Sequence, residues 1–108
     1  MSKPWPPPPD LESIQTLVRE ADPERHIADG APADEYEPEE EQIFAAIHHF
    51  STGNLLAANV LPILENIWAN SFSLDSTALE VRRPALLSLA QQIERFFGPA
   101  AQPQVRTL

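Results

Sequence analysis

The chain contains no cysteine, which removes disulfides, thiolate metal sites and cysteine nucleophiles together and points to a reducing compartment, the cytoplasm. It is also poor in positive charge: seven Lys and Arg stand against sixteen Asp and Glu, for a formal net charge of −9. A field of that sign repels nucleic acid and anionic lipid heads and attracts basic proteins or cations, so no nucleic acid and no membrane is expected as a partner. No run approaches the roughly eighteen uninterrupted apolar residues of a membrane span, and the opening Met1-Ser2-Lys3-Pro4-Trp5 has none of the apolar stretch of an export signal. No segment alternates at period two and no internal repeat is visible, so neither sheets nor solenoids are expected.

Motifs that carry chemistry are missing as well. Ser, His and Asp are present without nucleophile-elbow glycines, HExxH or a phosphate loop. His48 and His49 are adjacent, which on a helix turns their side chains about 100° apart. Their neighbours three and four residues back are Phe44, Ala45 and Ala46, none of them a ligand. The acidic run below lacks the spacing and turn glycine of an EF-hand loop. No catalytic residue, metal or cofactor is therefore expected, and the chain reads as a non-enzyme.

What is present is helical periodicity. At 108 residues and 43% hydrophobic content the chain supports one domain. Residues 1–9 hold five of the twelve prolines and read as an extended tail, with PxxP spacing from Pro4 to Pro7. Asp10 is an N-cap for a first helix over roughly 10–22, with Leu11, Ile14, Leu17, Val18 and Ala21 at helical spacing. A loop from Pro23 to Glu37 follows, with Ile27 as its anchor into the core. A second helix opens at Pro38 and carries Ile43, Phe44, Ile47 and Phe50 on one face, with Gly53 as its stop. A third, over about 54–70, has a broad apolar stripe and Pro62 inside it, which predicts a kink or a break. Asp75 caps a short helix to Arg82. Pro84 opens the last one, in which Leu86, Leu89, Ala90, Ile93, Phe96 and Phe97 run to Gly98-Pro99. The expected fold is all-α, a small bundle of four main helices with the last split at Pro84. It occupies residues 10–98, with a second tail over 99–108.

The feature that stands out is the stretch Asp34-Glu35-Tyr36-Glu37-Pro38-Glu39-Glu40-Glu41, which holds six of the sixteen acids. Carboxylates in a first helical turn favour the positive end of the helix dipole, which accounts for Glu39 to Glu41 but not for Asp34, Glu35 and Glu37. The candidate partner-binding residues are accordingly Asp34, Glu35, Tyr36, Glu37, Glu40 and Glu41, steering a basic protein partner, with the Tyr36 ring as an anchor. A second reading is a structural or regulatory homodimer packed through the stripe of the third helix or through Phe96-Phe97. A metal-assisted hydrolase is the remote third.

With Asp22-Pro23, Ile27, Gly30 and Asp34-Glu35-Tyr36-Glu37, the chain resembles small helical bacterial proteins of unknown function. These carry an Asp-Pro, a short loop and then Asp-Glu-Tyr-Asp/Glu before a helix. The likeness covers residues 10–70. Ala21 stands where those proteins have tryptophan, and Glu24-Arg25-His26 replaces an apolar-glycine pair. Some of them look like immunity or antitoxin components of bacterial competition systems, so the resemblance implies an interaction protein of that kind.

Overall fold

The computed structural model describes residues 8–101; the PxxP stretch from Pro4 to Pro7 and most of the second tail lie outside them. The described residues form four α-helices and two short 3-10 helices, without strands: α1 Leu11–Ala21, a 3-10 turn Ala33–Tyr36, α2 Glu37–Ile47, a 3-10 turn Thr52–Asn54, α3 Ala57–Ser71 and α4 Ser76–Phe97. α1 packs on α2 and α4, α2 on α3 and α3 on α4, so the contacts close a four-helix ring. α3 and α4 run antiparallel, with Arg83 meeting Glu65 and Glu94 meeting Ala57.

α1 and α4 start on side-chain caps. The Asp10 carboxylate accepts the Ser13 N–H at 2.9 Å, and the Asp75 carboxylate accepts the Ala78 N–H at 2.8 Å. α3 starts differently, because its N-cap Leu56 offers no side-chain acceptor. Glu94 of α4 supplies the acceptor instead, taking the Ala57 N–H at 2.6 Å.

Ile14, Val18, Ile43, Ile47, Val60, Leu64, Trp68, Leu86, Leu89 and Ile93 are fully buried at the centre of the ring. Ile27, Phe50, Phe72, Leu74 and Phe96 pack against that core from its edge. The core takes up part of the residues assigned above to a homodimer contact: Val60, Leu64, Ile67 and Trp68 of the α3 stripe are buried within the chain and Phe97 is 4% exposed, whereas Leu56 is 36% exposed and Phe96 is only partly buried.

Three expectations are corrected and one is narrowed. α4 is one helix of 22 residues, not two split at Pro84. Proline costs it the hydrogen bond to the Glu80 carbonyl, on an exposed turn where water can replace it. The turn just before Pro84 is also clamped from both sides, by Arg82 to Glu24 and Arg83 to Glu65. Of the two outcomes expected at Pro62 the break does not occur: α3 runs through it as one helix, and the lost partner, the carbonyl of the exposed Ala58, lies in the first turn. α2 stops at Ile47, three residues early, where the His48 ring stacks on Phe44 and brings Nδ1 to 2.9 Å from the Phe44 carbonyl oxygen. Pro9, placed in the tail by composition, is buried.

Candidate functional site

The loop between α1 and α2 is organised by Asp22. This residue ends α1 in the left-handed conformation, at φ 44° and ψ 58°, which Asp tolerates better than most residues. That turn aims its carboxylate back into the loop. It accepts the Ile27 N–H at 3.1 Å, the Ala28 N–H at 2.9 Å and the Tyr36 hydroxyl at 2.6 Å. The same hydroxyl accepts the Glu24 N–H at 2.9 Å. Tyr36 is fully buried, its ring stacked on His26 with centroids 5.3 Å apart and tilted against Trp68 at 6.2 Å. Phe72 closes the ring of four, at 5.8 Å from both His26 and Trp68. Burial would raise the Asp22 pKa, but the bonds from Tyr36, Ala28 and Ile27 outweigh it and hold this carboxyl below the usual range. Burial, reinforced by the bond to Asp22, pushes the Tyr36 phenol far above its usual value. The pair is therefore a neutral phenol donating to a carboxylate.

No family model, curated protein or solved structure matches this chain.

The acidic stretch divides into two chemically distinct sets. Asp34, Glu35, Glu37 and Glu41 are exposed. Glu39 and Glu40, at 6% and 0% exposure, are inside. Tyr36, Glu40, Ile43 and Ile47 are spaced as i, i+4, i+7 and i+11, and all four are buried on one helical face. The candidate binding set is corrected on this point: Tyr36 and Glu40 belong to the interior, where no partner reaches them. That spacing was readable in the sequence; what was not readable is the group that makes a carboxylate tolerable there. Arg19 of α1, absent from the candidate set, grips Glu40 with two bonds, Nε to Oε2 at 3.1 Å and Nη2 to Oε1 at 3.2 Å. Burial raises the Glu40 pKa, Arg19 opposes it, and the charges of Glu37 and Asp34 push it up again. The Arg19 pKa is raised in turn, first by its bond to Glu40 and in smaller part by the charges of Asp34 and Glu37.

Glu39 has no arginine partner among the described residues. Burial pushes its pKa up, a hydrogen bond from Ser71 pulls it down, and Glu40 raises it again. A carboxyl whose pKa is higher folded than unfolded stabilises the fold fully below the unfolded value, near 4.5, and that contribution is lost as pH rises through the folded value. Asp22 has the opposite sign: its contribution is present above the usual aspartate value of 3.8 and is lost as pH falls below it. The thermal midpoint is therefore expected to rise as pH falls through the raised Glu39 and Glu40 values toward 4.5 and to fall again in stronger acid, below 3.8. Calorimetry across that range checks this, and Glu39→Gln should raise the midpoint on the alkaline side and reduce the slope, leaving the share that Glu40 contributes. A midpoint that falls steadily from pH 7 downward in both proteins would rule out the protonation of Glu39 as its source.

The other basic residues are partly committed elsewhere. Arg82 holds Glu24 through Nε at 3.0 Å, and Arg83 holds Glu65 through Nη2 at 3.1 Å. His48 and His49 are exposed at the end of α2. Among the described residues no group of three or more His, Cys, Asp or Glu is placed to hold a metal ion. Among them, too, no helix is long and apolar enough to cross a membrane.

Proposed function

We propose that this is a small protein-interaction protein that captures a basic protein partner through the exposed carboxylates of Asp34, Glu35, Glu37 and Glu41. The observation that carries this reading is the division of the acidic stretch. Arg19 is bound to the buried Glu40, while four carboxylates within eight residues face solvent with no ion pair of their own among the described residues. Like charges kept that close repel one another and cost stability, an arrangement that a cationic surface would relieve on binding. An immunity protein that masks a positively charged toxin site is the most concrete version, and a cytoplasmic location suits it. The acids steer encounter, so the association rate falls with added salt.

The test is the fourfold variant Asp34→Asn, Glu35→Gln, Glu37→Gln, Glu41→Gln. Its melting midpoint should equal or exceed that of the parent, because repulsion is relieved. Partner capture from a lysate of the source cells should weaken at low salt, with the difference shrinking at high salt. An unfolded variant would assign these acids a structural role, and a folded one that captures the same partner undiminished would overturn the reading.

A further inference from the structure

Beside the exposed acids, α2 and α3 leave an open groove of ≈ 620 Å³ lined by Gln42, Ala45, Ala46, Pro62, Ile63, Asn66 and Ile67. It exists because the outer flank of α2 carries two alanines where longer side chains would fill the space between the helices. Its floor is apolar, Ile67 being 7% exposed, and none of the lining residues is basic. Its charge environment is one-sided. Glu41 lies one helical turn before Ala45, at the end of the groove where α2 begins. At that same end stands the exposed Glu35, in the 3-10 turn Ala33–Tyr36 that leads into α2.

We infer that this groove receives an amphipathic helix of a basic partner protein, whose apolar side chains enter between Ala45 and Ile63 while a Lys or Arg one turn further on meets Glu41 and Glu35. This deepens the reading under "Proposed function" and rests on it for its charged half. Length limits the apolar half: from Gln42 to Ala46 a helix rises only about 6 Å, room for two apolar side chains spaced three or four residues apart. The apolar contact confers shape specificity on a surface that charge alone would leave indifferent to the partner's sequence.

The experiment uses the full chain and three labelled synthetic peptides. The first is a helical peptide with two apolar residues at i and i+4 and lysines one turn further on. The second is a scramble of equal composition without the apolar stripe, and the third has glutamates in place of the lysines. The basic amphipathic peptide should perturb the amide resonances of Gln42, Ala45, Ala46, Ile63 and Asn66, and should bind at least tenfold more tightly than either control. Ala45→Glu, at an exposed helical position, adds bulk together with negative charge. It should weaken the amphipathic peptide at least tenfold, whereas attraction by charge alone would make it bind more tightly. Equal binding of the scramble, with perturbation confined to residues 34–41, would overturn the groove and leave the acidic reading standing. Equal binding of the glutamate peptide would overturn the basic partner in both. Groove resonances that shift on simple dilution, without peptide, would show a second copy of the chain as the occupant and overturn the proposal.

Discussion

Tyr36→Phe is expected to lower stability by about 1.5–3 kcal/mol, the range for a hydrogen bond to a charged acceptor. Asp22→Ala should lower it by about 3 kcal/mol or more, since it strips the acceptor from the Tyr36 hydroxyl and from the Ile27 and Ala28 N–H groups. It also places alanine at φ 44°, which adds about 1 kcal/mol. Urea unfolding with an unchanged m-value measures both. Because the two side chains share one bond, the double variant should fall short of the sum by about 1 kcal/mol or more, whereas additivity to within about 0.5 kcal/mol would show that the bond contributes nothing. The consequence for function is direct. A Tyr36→Ala variant that loses a partner does so by releasing the loop that presents the acids, so loss of binding should track loss of folding. The Asp-Pro and Asp-Glu-Tyr elements of the loop are thus tied by one physical bond: the left-handed Asp22 and the buried Tyr36 close the segment between them.

Gly98→Ala should cost about 2–3 kcal/mol, a midpoint shift on the order of 10 °C for a domain of this size. Its backbone, at φ −79°, makes no special demand; the requirement is space. A Cβ there would lie 2.6 Å from the carbonyl oxygens of both Glu94 and Leu55, both of them backbone atoms that cannot swing aside. Relief requires the end of α4 to move off Leu55, and that draws Glu94 away from the Ala57 N–H it caps. One methyl therefore strains two helix ends. Gly53→Ala is the control, with nothing within 4 Å of its added carbon, and should stay within about 0.5 kcal/mol of the parent. Equal midpoints for the two variants would show that the α4 terminus yields freely.

The division of the acids also bears on how binding and stability trade against each other. The exposed four are expected to be neutral or costly to folding, whereas the buried two are set by their surroundings: Glu40 by its two-bonded arginine, Glu39 by Ser71 and the pH. Neutralising one set reports on a partner; neutralising the other reports on the core.

The helices were legible in the sequence because a 3.6-residue apolar repeat states which face is buried whatever it packs on. Leu86, Leu89, Ala90, Ile93 and Phe97 were readable for that reason, and so was Asp10 as a cap, whose acceptor and donor lie three residues apart. Local repeats carry no information about polar residues on the buried face. Glu40 is held there by Arg19, twenty-one residues earlier, and Tyr36 by Asp22, fourteen residues earlier. α3 starts on a carboxylate thirty-seven residues later in the chain. The prolines misled in the same way: each removes a local bond, and whether the helix breaks there depends on whether the freed carbonyl faces water and on what clamps the turn. For Pro84 both answers came from the tertiary structure, through the exposure of Glu80 and the ion pairs of Arg82 and Arg83. The sequence by itself determined four helices and an acidic stretch. Only the packing decided which of those acids remain for a partner, because burial and pairing are properties of groups distant in the chain and adjacent in space.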